Sequence, residues 1–268
     1  MASANGRKSI FVTGAASGIG RATAEHFAQQ GWFCGLFDVD AAGLKQTADT
    51  IGADNCVTGV FDVRDRNGWA DAITQFAGAT NGDMDVLFNN AGVGRHGWFE
   101  DIPAEDSDWI VDVNVKGVIN GVYASLPLLK KSNGRIINVA SAAGLYGAPR
   151  LAVYSATKFA VRGLTEALDV EFESIGVSCV SLMPFFIDTP ILNMPTGDGS
   201  NHALSDTIKA QNSDVYPVSD AAEQAWEAAH GKDLHYTVGK RAAQTRFWAR
   251  FMPKNVRKQL LKSLPSRA

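Results

Sequence analysis

Seven compact apolar runs recur along the chain, and segments of helical length separate them. The first, SIFVT, leads through a glycine-rich turn into RATAEHFAQQG, where apolar residues recur with the period of a helix. The later runs are WFCGLFD, NCVTGVFD, MDVLFNN, GRIINVAS, VSCVSLMP and LHYTVG. Continuous apolar runs are typical of strands buried on both faces of a parallel sheet. The pattern predicts a single α/β domain with a doubly wound parallel sheet of about seven strands flanked by helices.

Composition indicates the cellular compartment in which this fold is expected. Of the 268 residues 46% are hydrophobic, and the 26 glycines are spread along the chain. Cys34, Cys56 and Cys179 are far apart in apolar surroundings, which favours buried thiols over disulfides or a metal site. The N-terminal apolar stretch lacks the h-region of a signal peptide, and no segment approaches the ~20 apolar residues that span a bilayer. We expect a soluble, cytoplasmic protein without a metal.

Candidate chemistry follows the first run, in the stretch TGAASGIG. In an open parallel sheet the ligand crevice lies at the carboxyl ends of the strands. Glycines at positions 14, 18 and 20 would let backbone N–H groups approach a pyrophosphate that a Cβ would keep away. The alternative is a tight strand-to-helix turn without a ligand. The strand before the glycines and the helix after them favour the phosphate site.

Asp38 closes the second run, eighteen residues after Gly20. A carboxylate there can accept hydrogen bonds from both ribose hydroxyls of an adenosine and would repel a 2′-phosphate. Neither Ala16 nor Val39 offers a positive charge that would offset this repulsion. The sequence therefore predicts NAD rather than NADP. Asp38 could instead cap the next helix, but Asp40 can fill that role.

The stretch YSATK places Tyr154 and Lys158 four residues apart, on one face of a helix. The cation would stabilise a phenolate and lower the tyrosine pKa from its usual ~10. Such a pair alone is typical of a solvated helix face. Here it follows GRIINVAS, and Ser141 ends that run thirteen residues before the tyrosine. The Ser141 hydroxyl could polarise a substrate oxygen without acting as a nucleophile.

In order and spacing, TGAASGIG, NNAG at Asn89–Gly92, Asn114, Ser141 and YSATK resemble the short-chain dehydrogenase/reductase family. The resemblance implies a single-domain Rossmann fold and hydride transfer between nicotinamide and a carbonyl or carbinol carbon. It implies Tyr154 as the general acid/base and Ser141 as the hydroxyl that orients the substrate oxygen. Lys158 would bind the nicotinamide ribose and lower the tyrosine pKa, and Asn114 would hold a water in the proton path.

The resemblance extends from about residue 9 to 190 and implies further cofactor contacts. Asp62 and Val63 would lie beside the adenine and Val139 beneath the nicotinamide. The segment Asn90–Gly92 would follow the adenosine ribose, although Asn89 and Asn90 could instead cap a strand. The full set of implied cofactor residues is Gly14, Ser17, Gly18, Ile19, Gly20, Asp38, Asp62, Val63, Asn90, Ala91, Gly92, Val139, Tyr154, Lys158, Pro184, Ile187 and Thr189.

The segment after VSCVSLMP departs from the family pattern. The family usually has Pro-Gly there, whereas this chain has Phe185 after Pro184. Ile187 and Thr189 match the positions that bind the carboxamide, Ile187 through its backbone. Phe185 and Phe186 either narrow the pocket or pack the nicotinamide edge, or else they are core residues.

The segments that should face the substrate are mostly apolar, which favours a neutral, hydrophobic alcohol or ketone. The resemblance implies a substrate set of Val93, Ser141, Leu145, Tyr146, Tyr154, Phe185 and Leu192. Arg95 and His96 could bind a polar group, but exposed loop positions are the favoured interpretation. Residues 195–214 are rich in Gly, Asn, Asp and Ser, so a lid is predicted over about 191–216.

The last 29 residues, 240–268, form a basic tail. They hold nine Lys and Arg and no acid, and the other 16 Lys and Arg face 28 Asp and Glu, a net charge of −12. Apolar residues interleave with these bases at Phe247, Trp248, Phe251, Val256, Leu260, Leu261 and Leu264. We expect two amphipathic helices broken at Pro253 that dock on the acidic body or on a partner subunit. Contact with an anionic membrane surface is the alternative, and no nucleic-acid motif accompanies the charge.

The resemblance also implies a homodimer through the YSATK helix and the helix before it, with a tetramer left open. Two other functions share this sequence pattern, a catalytically silent dinucleotide sensor and a sugar-nucleotide epimerase or dehydratase. The intact Ser141, Tyr154 and Lys158 disfavour the sensor. The short segment after YSATK disfavours the epimerase, which usually needs a longer substrate domain.

Overall fold

All seven apolar runs form strands of one parallel sheet. The computed structural model describes residues 4–194, 196, 204–210 and 213–264. The strands are β1 (Ser9–Thr13), β2 (Phe33–Asp38), β3 (Cys56–Val60), β4 (Val86–Asn89), β5 (Arg135–Val139), β6 (Ser178–Pro184) and β7 (His235–Val238). Their order in the sheet is β3-β2-β1-β4-β5-β6-β7, and every neighbouring pair is parallel. The predicted doubly wound sheet is confirmed.

Helices follow the strands along the chain. They are α1 (Gly18–Gln29), α2 (Ala41–Ile51), α3 (Arg66–Thr80), α4 (Ala104–Val111), α5 (Gly117–Ser132), α6 (Ala152–Phe172), α7 (Leu204–Ala210), α8 (Val218–His230), α9 (Lys240–Phe251) and α10 (Pro253–Ser263). Asp40 begins α2, because its carboxylate accepts hydrogen bonds from the amides of Ala42 and Gly43 at 3.0 and 3.1 Å. This cap leaves Asp38 available for another role.

Both faces of the sheet are buried, as the unbroken apolar runs predict, except at the edge strand β3, where Thr58 and Val60 are exposed. Ile10 and Val12 of β1 join one apolar cluster with α1 and α8, whereas Phe11 between them joins a second cluster with α3. In the second cluster the Phe11 ring stacks on Phe37 with centroids 4.2 Å apart. Alternate residues of one strand thus enter two cores, and the ends of the strands remain open to a crevice.

A short π-helical turn, Asp112–Lys116, joins α4 to α5 and carries Asn114. The extra residue in this turn rotates the helix face, a distortion that often occurs at functional sites. Asn114 is almost completely buried. The sequence DVNVK contains no glycine or proline that would mark this distortion.

The predicted lid and tail are described in part. A 3-10 turn (Pro190–Asn193) and α7 belong to the lid, while residues 195, 197–203 and 211–212 lie outside the described residues. In the tail, Pro253 is the first residue of α10. Phe247, Trp248 and Phe251 of α9 are exposed, so the expectation that the tail's apolar side chains dock on the chain's own body is wrong for these three. Among the described residues, no helix is long and apolar enough to cross a membrane.

Candidate active site

A cavity of about 560 Å³ opens at the carboxyl ends of the strands. The loops after β1, β2, β3, β4, β5 and β6 line it, as expected for a parallel sheet. The predicted cofactor residues that line it are Gly14, Ser17, Gly18, Ile19, Asp38, Asp62, Val63, Asn90, Ala91, Gly92, Val139, Tyr154, Lys158, Pro184, Ile187 and Thr189. The structure therefore brings together nearly every position that the sequence singles out.

The glycine-rich turn leaves no room for side chains. Gly14 and Gly18 have φ of +69° and +53°, which L side chains rarely adopt. A Cβ on Gly14 would lie 3.0 Å from the Ala91 Cα, and one on Gly18 would lie 3.0 Å from the Thr189 Cγ2. Both glycines border the cavity, so backbone forms its wall here.

Gly20 has a different task from the one that the sequence suggests. It is not among the residues that line the cavity. A Cβ there would stand 2.0 Å from the Gly14 carbonyl oxygen and 2.6 Å from the Asn90 Nδ2. Gly20 therefore lets α1 pack tightly on the turn and does not itself face a pyrophosphate.

Asp38 faces the cavity with its carboxylate already oriented. One oxygen accepts a hydrogen bond from the Ala16 amide and the other from the Asp40 amide, both at 3.0 Å. Arg21 donates hydrogen bonds to the Ala16 carbonyl and, at 3.1 Å, to the Thr47 hydroxyl. It is not among the described residues that line the cavity. No guanidinium in the described lining therefore neutralises Asp38 from this turn.

The loop after β4 is tied to the glycine-rich turn through Thr13. The Thr13 hydroxyl accepts hydrogen bonds from the amides of Asn90 and Ala91 at 3.0 and 3.1 Å. The Asn90 side chain donates to the carbonyls of Thr13 and Gly14 at 3.0 and 3.2 Å. Asn89 instead is buried and donates to Asn138 on β5 at 2.9 Å. Asn90 therefore fixes the cavity wall, and Asn89 holds two strands together.

Asp62 lies at the cavity edge in an ion pair with Arg64, at 2.6 Å. Hydrogen bonds from the Arg64 guanidinium hold the pKa of Asp62 below its usual value. The neighbouring Val63 is fixed by its carbonyl, which accepts hydrogen bonds from the Trp69 indole at 2.9 Å and from Asn120 at 3.2 Å. Sequence reasoning missed Arg64, because its partner is two residues away and only the turn after β3 brings them together.

Ser141, Tyr154 and Lys158 meet at the centre of the cavity wall. Ser141 follows β5, and its hydroxyl accepts from the Ala143 amide at 3.1 Å and is hydrogen-bonded to Tyr154. Lys158 lies one turn after Tyr154 on α6, with its Nζ 5.5 Å from the centroid of the tyrosine ring. The ammonium donates to the Val139 carbonyl at 2.9 Å. Two elements, β5 and α6, thus hold a hydroxyl, a phenol and an ammonium together.

Burial reverses the predicted effect on the tyrosine. It raises the pKa of Tyr154 to about 12, and the hydrogen bond with Ser141 offsets only part of that rise. Burial also lowers the pKa of Lys158 to about 8. The expectation that the pKa of Tyr154 lies below its usual value is therefore wrong for the chain without ligands. At neutral pH the pair is a phenol beside an ammonium.

Asn114 lies behind the wall and is not among the lining residues. Its Oδ1 accepts from the Val93 amide at 2.8 Å, and its Nδ2 donates to the Val93 carbonyl at 2.9 Å and to Thr157 at 3.2 Å. Gly92 passes close by, since a Cβ there would be 3.4 Å from the Asn114 Oδ1 and 3.6 Å from the Lys158 Nζ. An amide oxygen can accept a second hydrogen bond, so the water predicted beside Asn114 stays a prediction.

The other end of the cavity is apolar. Val93, Tyr146, Phe185 and Leu192 line it, as does Phe186. Leu145 does not, and this prediction is wrong: its side chain packs in a core cluster that includes Val161 and Met183. Leu145 ends a 3-10 turn (Ala142–Gly144) that directs it away from the cavity and directs the next residue, Tyr146, into it.

At this end the structure decides between the two alternatives for Phe185 and Phe186, and it corrects the interpretation of two loop residues. Phe185 and Phe186 border the cavity, with ring centroids 4.7 Å apart, and are not fully buried core residues. Arg95 also lines the cavity, where it pairs with Asp106 at 2.8 Å and lies 4.7 Å from the Trp109 ring centroid. The interpretation of Arg95 as an exposed loop residue is wrong, and so is that of His96, which is buried.

Lid residues close the apolar end. Leu151, Leu192, Met194, Leu204 and Ile208 form one buried cluster, against which Tyr154 and Phe186 pack. Met194 lies so near Gly94 that a Cβ there would stand 3.1 Å from the Met194 sulfur. The described part of the lid therefore reaches the tyrosine.

Comparison with known proteins places this geometry in a family. Residues 8–197 match the sequence profile described as short chain dehydrogenase. The chain belongs to the short-chain dehydrogenase/reductase family. Oxidoreductase UcpA of Salmonella typhimurium is 35% identical over 211 residues, which cover 76% of this chain and 80% of that protein. The protein is thus an oxidoreductase of the short-chain dehydrogenase/reductase family.

Solved structures of short-chain dehydrogenases/reductases share the whole fold. A member from Burkholderia phymatum in complex with NAD is 30% identical, with a TM-score of 0.81 over 98% of this chain and 97% of its own. The 3-ketoacyl-(acyl-carrier-protein) reductase of Brucella melitensis, complexed with NADH, is also 30% identical, with a TM-score of 0.77 over 88% and 98% of the two chains. The Rossmann fold is therefore shared over 88% to 98% of this chain with relatives whose structures hold NAD or NADH.

Proposed function

We propose that the protein is an NAD-dependent dehydrogenase that interconverts a neutral, hydrophobic secondary alcohol and its ketone. The observation that carries the proposal is the convergence of Ser141, Tyr154 and Lys158 on one wall of a cavity whose far end holds Asp38. A phenol and a hydroxyl side by side can donate to a single substrate oxygen. A cation nearby stabilises the phenolate of the opposite direction.

The residues of the cavity fit a nicotinamide dinucleotide. Backbone without side chains at Gly14 and Gly18 leaves space beside the start of α1, where N–H groups favour a phosphate. Asp38 would accept hydrogen bonds from the adenosine ribose, and the relatives with NAD and NADH support this choice of cofactor. When bound, NAD would supply the hydride acceptor or donor.

The side chains would then move the proton. In the direction of ketone reduction the Tyr154 phenol donates its proton to the oxygen that becomes the hydroxyl, while the Ser141 hydroxyl holds that oxygen. In alcohol oxidation the phenolate takes the proton back. Lys158 favours that phenolate when it is protonated, which is its major form below pH 8.

The substrate class follows from the apolar end of the cavity. Val93, Phe185, Leu192 and Met194 present hydrocarbon, and the Arg95 guanidinium is already paired with Asp106. A neutral substrate leaves this ion pair intact, whereas a carboxylate would have to displace Asp106 from it. We therefore favour a neutral alcohol over a charged one.

Kinetics with a panel of secondary alcohols tests the proposal. The purified protein is given NAD+ or NADP+, and the absorbance of the reduced cofactor is followed for wild type, Tyr154→Phe and the control Tyr123→Phe, which lies on α5 outside the cavity lining. We expect turnover with NAD+ that Tyr154→Phe lowers by about 10²- to 10⁴-fold, while calorimetry shows NAD+ binding unchanged. The control should match wild type. NAD+ binding without turnover of any alcohol, or of any ketone when NADH is supplied instead, would favour a dinucleotide sensor.

Assembly and location complete the proposal. We infer a cytoplasmic homodimer formed through α5 and α6, on which Tyr123, Phe159 and Val170 leave apolar surface exposed. Light scattering should give twice the chain mass, and Val170→Glu should reduce it to the mass of one chain.

A further inference from the structure

The tail turns one face to the body and the opposite face to solvent. Ala242 of α9 is fully buried, and α9 contacts β7 and the turn Ala142–Gly144. Phe247 and Phe251 are four residues apart and therefore share a face, which the 100° step of the helix places nearly opposite Ala242. The Phe247 centroid is 5.0 Å from that of Phe251 and 5.8 Å from that of Trp248. These rings form one continuous aromatic patch that points away from the body.

The surroundings of the patch are basic. Arg246, Arg250, Lys254, Arg257, Lys258 and Lys262 are exposed on the same two helices. Arg241 at the start of α9 pairs with Asp214 of the body at 2.8 Å. Among the residues that the structure describes, no other cation of the tail forms a salt bridge. The tail has no acid of its own. The cations beside the patch thus have no carboxylate in the tail to neutralise them.

We propose that the aromatic patch and its cations bind the surface of a bilayer that contains anionic phospholipid. Phe and Trp side chains would enter the headgroup region while Lys and Arg meet the phosphates, the arrangement of a helix that lies in the interface. Juxtamembrane cations add to binding in proportion to their number. The proposal does not depend on the substrate of the enzyme.

A second copy of the chain fits the patch less well. Two tails packed face to face would bring together two sets of cations with no acid between them. On the body, α5 and α6 expose Tyr123, Phe159 and Val170. This is the surface that we expect to pair with itself in the dimer. The charge and the aromatic content of the tail both match a lipid surface.

Sedimentation with vesicles tests this assignment in the full chain. Wild type should sediment with vesicles of phosphatidylcholine and phosphatidylglycerol in equal parts but not with phosphatidylcholine alone, and salt should weaken the binding. The variant Lys254→Glu/Lys258→Glu/Lys262→Glu should bind about 100-fold more weakly. The control Lys8→Glu/Lys45→Glu/Lys232→Glu changes the net charge equally on the body and should bind like wild type.

The aromatic patch needs a variant of its own. Phe247→Ser/Trp248→Ser/Phe251→Ser should lower binding at least about tenfold, with unchanged turnover and thermal unfolding because these side chains are exposed. Tryptophan emission should shift to shorter wavelength with anionic vesicles in wild type and not in Trp248→Phe.

Three results would overturn the proposal. The first is equal sedimentation of wild type with both kinds of vesicle, or none with either. The second is a body variant that loses binding as much as the tail variant does. The third is a fall in the mass of the protein in solution when the three aromatic residues are replaced, which would assign the patch to a second copy of the chain.

Discussion

The two ends of the cavity are shaped by different parts of the chain. At the cofactor end, backbone forms the wall of the cavity. Gly14 and Gly18 leave no room for side chains, and hydrogen bonds of Thr13 and Asn90 join two loops. At the substrate end, side chains form the wall of the cavity. Phe185, Met194 and their neighbours belong to the loop after β6 and to the lid. The first end is fixed by steric exclusion and the second by hydrophobic packing, so the same substitution should have different consequences at each.

The largest effect should come from a methyl group at the cofactor end. Gly20→Ala places a Cβ 2.0 Å from the Gly14 carbonyl oxygen, where backbone must move. We expect the free energy of unfolding to fall by about 3 kcal/mol and NAD affinity to fall with it, as measured by urea denaturation and calorimetry.

Gly78→Ala is the matched control for this change. Gly78 is exposed on α3, and nothing lies within 4 Å of its Cβ position. Alanine should raise the free energy of unfolding there by about 1 kcal/mol, because it restricts the unfolded chain. Equal effects at both glycines would show that steric exclusion does not shape this end.

Lys158 joins the two ends, and its burial predicts a pH-dependent stability. Its pKa is about 8 in the folded chain, whereas that of a lysine in water is 10.5. Below pH 8 the lysine is protonated in both states and the full cost of burying the ammonium is present. Between pH 8 and 10.5 the unfolded chain holds more protons than the folded one, so stability rises with pH.

Lys158→Met should therefore gain stability relative to wild type by about 3 kcal/mol below pH 8, a gain that disappears as pH rises through 10.5. Its turnover should be lost. Urea denaturation across this pH range measures the difference. The exposed Lys45→Met is the control for the loss of one positive charge, and a flat difference for Lys158→Met would mean that the ammonium is solvated.

The next effect concerns the choice of cofactor. Asp38→Ala removes the carboxylate that would repel a 2′-phosphate, so the ratio of kcat/KM for NADP+ to that for NAD+ should rise about 100-fold. Asp40→Ala is the control, because it removes the cap of α2, at a cost of about 1 kcal/mol, but leaves Asp38 in place. A similar change of the ratio in both variants would assign the effect to the helix rather than to the charge.

These differences explain which features were predictable. The strands could be predicted, because burial on both faces of a sheet leaves unbroken apolar runs such as MDVLFNN. The glycine-rich turn could be predicted, because close approach of the backbone excludes all other residue types. The orientation of Leu145 could not be predicted, because one step along a 3-10 turn decides which side chain faces the cavity.

The electrostatics of the site could not be predicted from the sequence, because they depend on burial in the folded chain. A spacing of four residues predicts that Lys158 and Tyr154 share a helix face, but not that both lose so much solvent that burial dominates their pKa values. The π-helical turn that aims Asn114 at Val93 likewise has no signature in DVNVK. Exposure of the aromatic residues in the tail also depends on what the rest of the chain leaves uncovered.

The smallest effect should appear at the substrate end, where packing can adjust. Phe185→Gly introduces the residue that the family usually has at this position, and it removes a ring that lines the cavity. We expect KM to fall about tenfold for alcohols with bulky substituents and to stay unchanged for small ones. Phe185→Leu, which keeps most of the volume, is the control and should resemble wild type. If Phe185→Gly instead weakens NAD affinity and leaves the order of substrates unchanged, the ring contacts the cofactor, and the boundary between the two ends lies beyond residue 185.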